Sequence, residues 1–482
     1  CPHSIDSSHE RRLLSGASHV APLPRHTYIF ARTVPCPDTG YATPLVPDWH
    51  LLKPARHTTC DHRCTFAVPV VGEKRGAWTV EVKRGGRGKG RLAKAPNPTY
   101  SRGKAVSLFT GRPISADYIK AMAQQGRMKS QLYAVVIKTP QGLKFEPPKK
   151  KDLDALEAAE KELARLRPGW EKRNIIPTEE RFKGDCDRSY VYGITTWASM
   201  FSPRQLLCMG VLVDELRKLR PEITKAEGEE LGEAVVHLLA FGMDKFLNHN
   251  CTATRWETTR GVVKSKMDRH DYAFKVSFAE LAPCNAGAGL QWAIGNVLDA
   301  YKKIAELPRS ENAKPVQISL GSATNLPQFA DKSITAVVVD PPYADNVQYS
   351  ELADFFYVWL KRTQGHRRPE WFSTYLCNHD EEAVVNISRH RKGTDRGSAK
   401  AAREKANVFY QQLMSDTFAE CRRVLRDDGV LPGMFTHKKQ EAWEALFTSL
   451  ITAGFTITAT WPIKTESEHS LHQARKNAAQ ST

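Results

Sequence analysis

The 482-residue chain has few of the features that mark membrane or secreted proteins. It has no run approaching the roughly 18 apolar residues of a membrane-spanning helix, so the sequence predicts no membrane partner. Its first residues, CPHSIDSSHERRLL, lack the apolar core of a signal peptide, and they also lack an initiator Met. The ten Cys are scattered, mostly in apolar surroundings such as those of Cys208 and Cys421, which favours reduced thiols in a cytoplasmic protein over a disulfide framework.

Acidic residues are too few to balance the basic ones. The chain contains 70 Lys and Arg against 53 Asp and Glu, so its formal net charge is +17. A charge excess of this sign favours a polyanionic partner, and nucleic acid is the most common one. The alternative is a basic surface that serves only solubility.

Composition divides the chain into three regions. Residues 1–150 are rich in Pro, Gly, His and basic residues, and alternating runs at 77–84 and 131–139 predict β hairpins in a small β-rich region. Residues 151–310 have helical periodicity, and Ser202 followed by a Pro predicts the start of a helix. The charge and position of this helical region make it a candidate for DNA contact.

Residues 311–482 alternate between strand and helix patterns. The predicted strands are 316–321, 334–340, 429–437 and 455–463, and the predicted helices are 407–425 and 441–454. This alternation favours an α/β fold with a mostly parallel, doubly wound, Rossmann-like sheet. In such sheets ligands bind at the carboxyl ends of strands, and Asp340 stands at one such end.

The motif DPPY completes the apolar run, as Asp340, Pro341, Pro342 and Tyr343. The exocyclic amine of a nucleobase is a weak nucleophile because its lone pair is delocalised into the ring. A carboxylate that accepts its N–H, together with a main-chain carbonyl, would restore electron density to the nitrogen. Prolines stiffen the turn and remove competing N–H donors, and an aromatic ring offers a stacking face for an extruded base. The alternative is a rigid turn with Tyr343 packed inward.

The motif resembles the catalytic motif of the amino-group DNA methyltransferases, which use S-adenosylmethionine. Longer stretches, DPPYADNVQYSELADFFYVWLKR, FSPRQLL, THKKQEAWEAL and TATWPIKTESEHS, resemble the large adenine-specific DNA methylases of the DUF1156 group. The similarity extends discontinuously from residue 30 to the C-terminus. Some members of this group carry a zinc ribbon, and others are associated with phage-defence gene clusters. The resemblance implies a class I methyltransferase sheet in 311–482, S-adenosylmethionine as cofactor, and DNA and defence-system proteins as partners.

The same resemblance implies roles for residues in and around the motif. Asp340 and the Pro341 carbonyl would bind the target amine, and Tyr343 would stack on the extruded base. Residues that would border the pocket are Asp345, Asn346 and Tyr349.

Two further groups of residues lie near the motif in the predicted fold. His437 and Lys438 end a predicted strand and face either the pocket or DNA, or they form an ordinary polar strand end. Four aromatic residues that follow the motif are expected to pack their helix against the sheet: Phe355, Phe356, Tyr357 and Trp359.

The family's cofactor loop, a glycine-rich turn after the first strand, has no counterpart in the chain. The glycines of 14–19 and 285–293 follow no apolar strand, and the acidic residue that would hold the cofactor's ribose is also missing. Ser322 stands where many methyltransferases carry Asp, which makes it the candidate for a cofactor contact, with a simple turn as the alternative. We expect the chain to be a fragment that lacks the first strands and this loop.

A zinc ribbon is expected only in degenerate form. Its first knuckle would have the pattern Cys-Pro-x-Cys-Gly, but the chain has Cys36 with Thr39 at the second ligand position. The second knuckle would lie near 107–111, which contains no Cys. Cys60 and Cys64 lack the second pair that a structural site needs, so neither zinc nor another metal is predicted.

The predicted function is methyl transfer from S-adenosylmethionine to a nucleobase amine, most directly adenine N6 in DNA. Cytosine N4 is an alternative because the same amine chemistry applies. RNA or a protein amide is a second alternative, although such enzymes tend to carry Asn before Pro-Pro-Tyr. The third is a nucleic-acid-binding fragment without activity of its own, which the missing glycine-rich loop favours.

Overall fold

The computed structural model describes residues 25–54, 61–88, 90–284, 289–307, 314–391 and 399–463. Cys60 and the glycine stretch 285–288 lie outside these ranges. The fold is mixed α/β, with several small antiparallel sheets, a helical middle and a short parallel ladder near residue 340. No helix within the described ranges is both long and apolar enough to cross a membrane.

The strands in these ranges are β1 (Arg25–Pro35), β2 (Ala42–Leu45), β3 (His50–Leu52), β4 (Thr65–Val71), β5 (Trp78–Arg84), β6 (Tyr100–Ser101), β7 (Lys104–Val106), β8 (Pro113–Ile114), β9 (Lys129–Thr139), β10 (Gly142–Glu146), β11 (Arg255–Glu257), β12 (Val262–Lys264), β13 (Ser277–Leu281), β14 (Ile334–Ala336) and β15 (Leu425–Val430). The α-helices are α1 (Ala116–Gln124), α2 (Lys150–Lys172), α3 (Pro203–Glu227), α4 (Glu229–Leu247), α5 (Leu290–Ala305), α6 (Tyr349–Gln364), α7 (Ile387–His390), α8 (Ala399–Val424) and α9 (Gln440–Thr452).

The largest sheet is antiparallel, with the order β10-β9-β1-β13 and β2 paired to the end of β1. Strand β9 buries six consecutive residues, 132–137, because both faces of the sheet are covered. One face packs on the sheet β3-β4-β5 through Trp49, Trp78 and Tyr133. The strands predicted within 1–150 are confirmed, but β13 joins their sheet from beyond the boundary at residue 150.

Helix α3 of the helical middle starts at a side-chain cap. The Ser202 hydroxyl accepts from the N–H of Gln205, and Pro203 is the first residue of α3, as predicted. Helix α2 packs Trp170 directly over Gly210 of α3, where an added Cβ would lie 2.3 Å from the indole ring. Close packing of this kind, which only Gly permits, fixes α2 against α3.

Helix α6 follows the DPPY turn and enters this helical core. Phe201 stacks on Phe355 with 6.0 Å between ring centroids, and its ring meets the edge of Trp359 at 5.4 Å. The buried Arg362 guanidinium pairs with Glu179 at 2.9 Å. The expectation that all four aromatic residues pack this helix against the sheet is wrong, because Phe355, Phe356 and Trp359 join the helical core and Tyr357 meets Phe372. One packed core thus crosses the predicted boundary at residue 310.

The parallel ladder joins β14 to β15 and continues beyond both strands. The N–H of Val337 donates to the Val430 carbonyl, and Val339 donates to the carbonyl of Pro432 and accepts from the N–H of Met434. Pro432 is tolerated because the ladder uses its carbonyl rather than the N–H it lacks. The chain therefore reaches Asp340 at the carboxyl end of a parallel strand.

The described residues do not form the doubly wound, Rossmann-like sheet that the alternation predicts. The segments 316–321 and 455–463 pair with no strand in the described chain, and Val316 and Ile318 are 87% and 94% exposed. Val338, on the open face of the ladder, is 77% exposed. An apolar pattern supplies side chains for a strand, but the strand itself needs main-chain partners. The coarser prediction of a mixed α/β fold is confirmed.

Candidate functional site

The DPPY turn begins where the parallel ladder ends. Val339 makes hydrogen bonds on both its N–H and its carbonyl, and Asp340 follows with an exposed side chain. Pro341 and Pro342 are half-buried and have no N–H to offer. The turn thus lies at the edge of the ladder where α/β proteins usually bind their ligands.

Asp340 and Tyr343 are bonded to each other across the turn. The Tyr343 hydroxyl donates to Oδ1 of Asp340 at 2.6 Å. The half-buried ring of Tyr343 meets Phe435 edge to face, with 5.2 Å between centroids and 74° between planes. The turn therefore presents a carboxylate and a partly exposed aromatic ring side by side.

The backbone of the turn is held from both sides. The buried Tyr410 hydroxyl donates to the Pro342 carbonyl at 2.9 Å, and the N–H of Val385 donates to the Ala344 carbonyl at 3.1 Å. Burial raises the pKa of Tyr410 to about 12. Ala344 has a left-handed backbone with φ of 49°, which costs a non-glycine residue about 1 kcal/mol. Sequence reasoning missed Tyr410, although the periodicity of its helix places it on the buried face.

Asp345 is surrounded by two cations and a histidine. Lys439 Nζ lies 2.5 Å from its carboxylate, His437 Nε2 3.2 Å and the Arg403 guanidinium 3.5 Å. Burial by itself would raise the pKa of Asp345, but hydrogen bonds from His437 and Lys439 outweigh it and hold the pKa well below its ordinary value. The carboxylate is thus engaged with the protein itself, and we assign Asp345 to positioning the turn rather than to binding substrate.

His437 is buried, whereas Lys438 is exposed. Nδ1 of His437 accepts from the N–H of Lys439 at 3.1 Å while Nε2 donates to Asp345, so a neutral ring with its proton on Nε2 fits both bonds. The lysine that contacts Asp345 is Lys439, which the sequence analysis did not single out. The orientation of Lys438 towards the pocket or DNA stays a prediction.

Asn346 and Tyr349 lie on the helix side of the turn. The N–H of Asn346 donates to the Tyr343 carbonyl at 3.0 Å. Tyr349 is the first residue of α6, and its side chain is half exposed. Partial burial, followed by the negative charges of Asp340 and Glu382, raises the pKa of Tyr349. Tyr349 therefore lies within the electrostatic range of the motif.

A polar network that no local sequence pattern predicts surrounds the first turn of α6. The Ser350 hydroxyl contacts Nδ1 of His379 at 2.7 Å and also bonds Glu382. Arg389 donates to the Ser350 hydroxyl at 2.8 Å and to Glu382 at 2.9 Å. Nε2 of His379 lies 3.1 Å from Asp354. Ser350 is bonded to His379, Glu382 and Arg389 at once. We therefore interpret the Ser350, His379 and Asp354 arrangement as a structural network that holds the loop around residues 379–389 against α6.

Glu351 ties the start of α6 to the helical middle. Its carboxylate accepts the N–H groups of Asp185 and Cys186 at 3.3 and 3.2 Å and the Asn386 amide at 2.6 Å. A Cβ added at Gly184 would lie 2.2 Å from this carboxylate, so only Gly fits there. The DPPY turn is therefore anchored in both the parallel ladder and the helical core.

The basic segment 255–275, within the region 151–310 that is the candidate for DNA contact, neutralises part of its own charge. Arg255 pairs with Asp268 at 2.9 Å and with Glu257 at 2.5 Å. Lys266 is buried, and burial lowers its pKa to about 7. This segment thus offers fewer free cations to DNA than its composition suggests.

The resemblance would place S-adenosylmethionine at a glycine-rich turn after a strand, and Ser322 is the candidate for a further contact. No glycine-rich turn follows a strand of the parallel ladder within the described ranges. Ser322, the predicted cofactor contact, is half-buried in a turn where its hydroxyl contacts Oγ1 of Thr324 at 2.8 Å and its carbonyl accepts from Asn325. The simple turn accounts for the position of Ser322.

The two degenerate knuckles face each other through hydrogen bonds. Ser107 donates to Sγ of Cys36 at 3.2 Å, and Oγ1 of Thr110 lies 4.0 Å from the same sulfur. Burial raises the pKa of Cys36, but hydrogen bonds from Ser107 and Thr39 outweigh it and lower the pKa to about 7. One thiol with three hydroxyls does not fit zinc. The described chain also contains no group of three or more His, Cys, Asp or Glu placed to bind a metal.

The candidate site therefore has an open part and a supporting part. Asp340 and Tyr343 form the open part, where an exposed carboxylate lies beside a half-buried ring that packs against Phe435. Tyr410 supports it by a bond to the backbone of the turn, and Asp345 by its bond to His437 at the strand end. Glu351 links the start of α6 to the helical core. No protein-family model, curated protein or solved structure matches this chain.

Proposed function

We propose that the DPPY turn binds the exocyclic amine of an extruded nucleobase, most directly adenine N6 in DNA, as part of an amino-group methyltransferase. One observation carries the proposal. The carboxylate of Asp340 is exposed at the carboxyl end of a parallel strand. It accepts a hydrogen bond from the Tyr343 hydroxyl and lies beside the partly exposed Tyr343 ring. A nucleobase amine needs both features, an acceptor for its N–H and a stacking face for its ring.

The chemistry follows from the residues of the turn. Asp340 accepts one N–H of the amine and the Pro341 carbonyl accepts the other, which returns electron density to the nitrogen. Neither proline has an N–H that could compete for those acceptors. The Tyr343 ring stacks on the base, a contact that contributes about 1–3 kcal/mol per base in single-strand binding proteins. Cytosine N4 fits the same acceptors.

Positive charge next to the turn supports a nucleic acid as the partner. Arg403 and Lys439 bring two positive charges to the single charge of Asp345, and the exposed Lys438 adds a third. Surplus cations beside a base-binding turn suit the phosphates that flank an extruded nucleotide. The formal net charge of +17 has the same sign.

The resemblance implies S-adenosylmethionine as the methyl donor. The described residues carry the amine-binding part of the proposal. No glycine-rich turn follows a strand of the described ladder, which favours a second candidate function, in which the chain binds nucleic acid and holds a base without methylating it. Both functions need Asp340, and they differ in whether a methyl group is transferred.

The test is transfer of a tritiated methyl group from S-adenosylmethionine to unmethylated DNA, comparing the wild-type chain with Asp340→Ala. The matched control is Asp428→Ala, an exposed aspartate near the other end of the ladder. We expect labelled adenine with the wild type and the control, and about 100-fold less with Asp340→Ala, because the amine loses its acceptor. Label that persists in Asp340→Ala would overturn the assigned site. No label, together with oligonucleotide binding that depends on Asp340, would select the second candidate.

A further inference from the structure

We infer that the Tyr343 hydroxyl occupies, on Asp340, the position that the target amine takes, so that base binding exchanges one hydrogen-bond donor for another. The inference rests on the proposed function and adds to it a specificity-determining role for the hydroxyl group. Stacking uses the ring of Tyr343, whereas this exchange uses only its O–H. The two roles can therefore be separated by a single substitution.

The geometry of the turn supports this exchange. The bond from the Tyr343 hydroxyl to Oδ1 of Asp340 is 2.6 Å long, which is typical of a charge-assisted O–H donor on a carboxylate. Pro341 and Pro342 lie between the two residues and have no N–H, so neither can donate to Asp340. The carboxylate is exposed, so water could satisfy it without any protein donor. The turn nevertheless places a donor on the acceptor that the base would use.

The bond also restricts the chemical class of the ligand. Asp340 is an acceptor when ionised, and the group it holds in this structure is a donor. A ligand that displaces the hydroxyl must bring its own N–H or O–H, as an exocyclic amine does. A ring nitrogen with a lone pair or a carbonyl oxygen brings none and leaves the hydroxyl in place. Only a base with an amine at this position can therefore displace the hydroxyl, and the displaced bond reduces the affinity that such a base gains from Asp340.

The exchange moves no proton between residues and breaks no covalent bond. The hydroxyl proton stays on Tyr343 and turns towards solvent, while the amine N–H takes its place on Asp340. The Tyr343 ring packs against Phe435, and Phe435 itself meets Trp443 with 5.0 Å between centroids. The ring is thus supported independently of its hydroxyl, so it remains available for stacking after the exchange.

The hydroxyl competes with the amine, so its removal is expected to strengthen amine binding. Tyr343→Phe keeps the ring and its contact with Phe435 but removes the competing donor. The net value of one hydrogen bond corresponds to a factor of about three to ten in affinity. Tyr343→Ala removes both the competitor and the stacking face, and it is expected to weaken binding of any base.

The experiment compares two single-stranded DNA oligonucleotides, one with adenine and one with unsubstituted purine, which lacks the amine, at the same position. Fluorescence anisotropy measures the affinity of the wild type, Tyr343→Phe, Tyr343→Ala and Asp340→Asn for each. Tyr357→Phe is the control. Tyr357 lies further along α6, and its hydroxyl bonds Thr374 rather than Asp340. We expect Tyr343→Phe to raise the adenine-over-purine preference about three- to tenfold, while Tyr357→Phe leaves it unchanged. Melting curves confirm that each variant is folded.

The remaining outcomes separate this inference from the proposed function. A wild-type preference for adenine that Asp340→Asn abolishes and Tyr343→Phe leaves unchanged would overturn the exchange and leave the amine site standing. Equal binding of both oligonucleotides by the wild type and by Tyr343→Phe would overturn both. A preference that falls in Tyr343→Phe would show that the hydroxyl assists amine binding, which contradicts competition.

Discussion

The two ends of the described chain differ in how completely their sheets are covered. In the N-terminal part, both faces of the five-stranded sheet are packed, and β9 buries residues 132–137 without interruption. In 314–463, the parallel ladder packs helices α8 and α9 on one face, while Val338 on the other face and the segment 316–321 are exposed. Parallel sheets are usually covered on both faces, so the second arrangement is the unusual one.

This difference shows how the candidate site obtains its order. The two-stranded ladder alone offers few contacts to a turn that must keep a carboxylate beside an aromatic ring. Helix α6 leaves the turn at Tyr349 and places Phe355 and Trp359 in the fully packed helical core. Glu351 adds hydrogen bonds from the same core to the first turn of that helix. The exposed site is therefore held by the better-packed region of the chain.

The largest expected effect comes from adding a zinc site to the N-terminal part, between the two degenerate knuckles around Cys36 and Ser107. Cys36 is 3.2 Å from the Ser107 oxygen and 4.0 Å from that of Thr110. Ligand atoms of a tetrahedral zinc site with thiolates lie about 3.8 Å apart, so the two knuckles have nearly the right spacing. We expect the triple variant Thr39→Cys, Ser107→Cys, Thr110→Cys to bind one zinc ion, with an apparent binding free energy on the order of 10 kcal/mol.

Zinc binding by this variant is measured by competition with a chromogenic chelator and by the melting temperature with and without metal. The same three substitutions with Cys36→Ala serve as control, because three ligands bind zinc more weakly than four. A variant that binds no more zinc than this control would contradict the convergence of the two knuckles. Since ligand binding stabilises only the folded state, we expect the melting temperature to rise with zinc concentration.

The contrast between the packed helical core, which holds α6, and the open face of the ladder would break if both responded alike to loss of an apolar side chain. Phe355 is fully buried in the helical core, so Phe355→Ala is expected to lower the free energy of unfolding by about 3–5 kcal/mol. Val338→Ala removes a side chain that is 77% exposed, and we expect a change within about 0.5 kcal/mol. Urea unfolding followed by far-UV circular dichroism measures both. A loss above about 1 kcal/mol at Val338 would mean that the open face of the ladder is covered in solution.

Much of the fold follows from local patterns, and what does not follow depends on distant partners. The N-cap at Ser202 and the alternation in β5 and β9 predict real elements because short-range hydrogen bonds and burial decide them. The run 316–321 has the same alternation, but it forms no strand among the described residues. A strand needs a neighbouring strand, and a local pattern contains no information about whether one is present.

The open part of the candidate site could be predicted, whereas its supports could not. Asp340 and Tyr343 are three positions apart in sequence and are hydrogen-bonded to each other in the turn. Tyr410 bonds the turn from 68 residues away, and Lys439 approaches Asp345 across 94 residues. The sequence singled out His437 and Lys438 as a strand-end pair, and no local pattern indicated that Lys439 contacts Asp345. Contacts of this range depend on the tertiary path of the chain, which composition and spacing do not encode.

The smallest expected effect concerns Asp345, whose charge joins the turn to the strand end. Its pKa lies below the ordinary value of 3.8, so its ionised form stabilises the folded chain. This stabilisation is complete above about pH 4 and is lost as the pH falls through the lowered pKa, because protonation then removes the bonds to His437 and Lys439. We expect Asp345→Asn to lower the free energy of unfolding by about 1–2 kcal/mol at pH 7 and by progressively less below pH 4.

Urea unfolding of the wild type and Asp345→Asn between pH 3 and pH 7 measures this difference, with Asp428→Asn as the exposed control. A difference that is constant across the range would mean that the carboxylate contributes through its shape rather than its charge. Hydrogen exchange of the segment 340–346 adds a local measurement. Faster exchange there, with unchanged exchange in α3 and α4, would locate the effect in the ladder region and show that the helical core holds α6 without Asp345. Equal acceleration in both regions would mean that the turn and the helical core open as one unit.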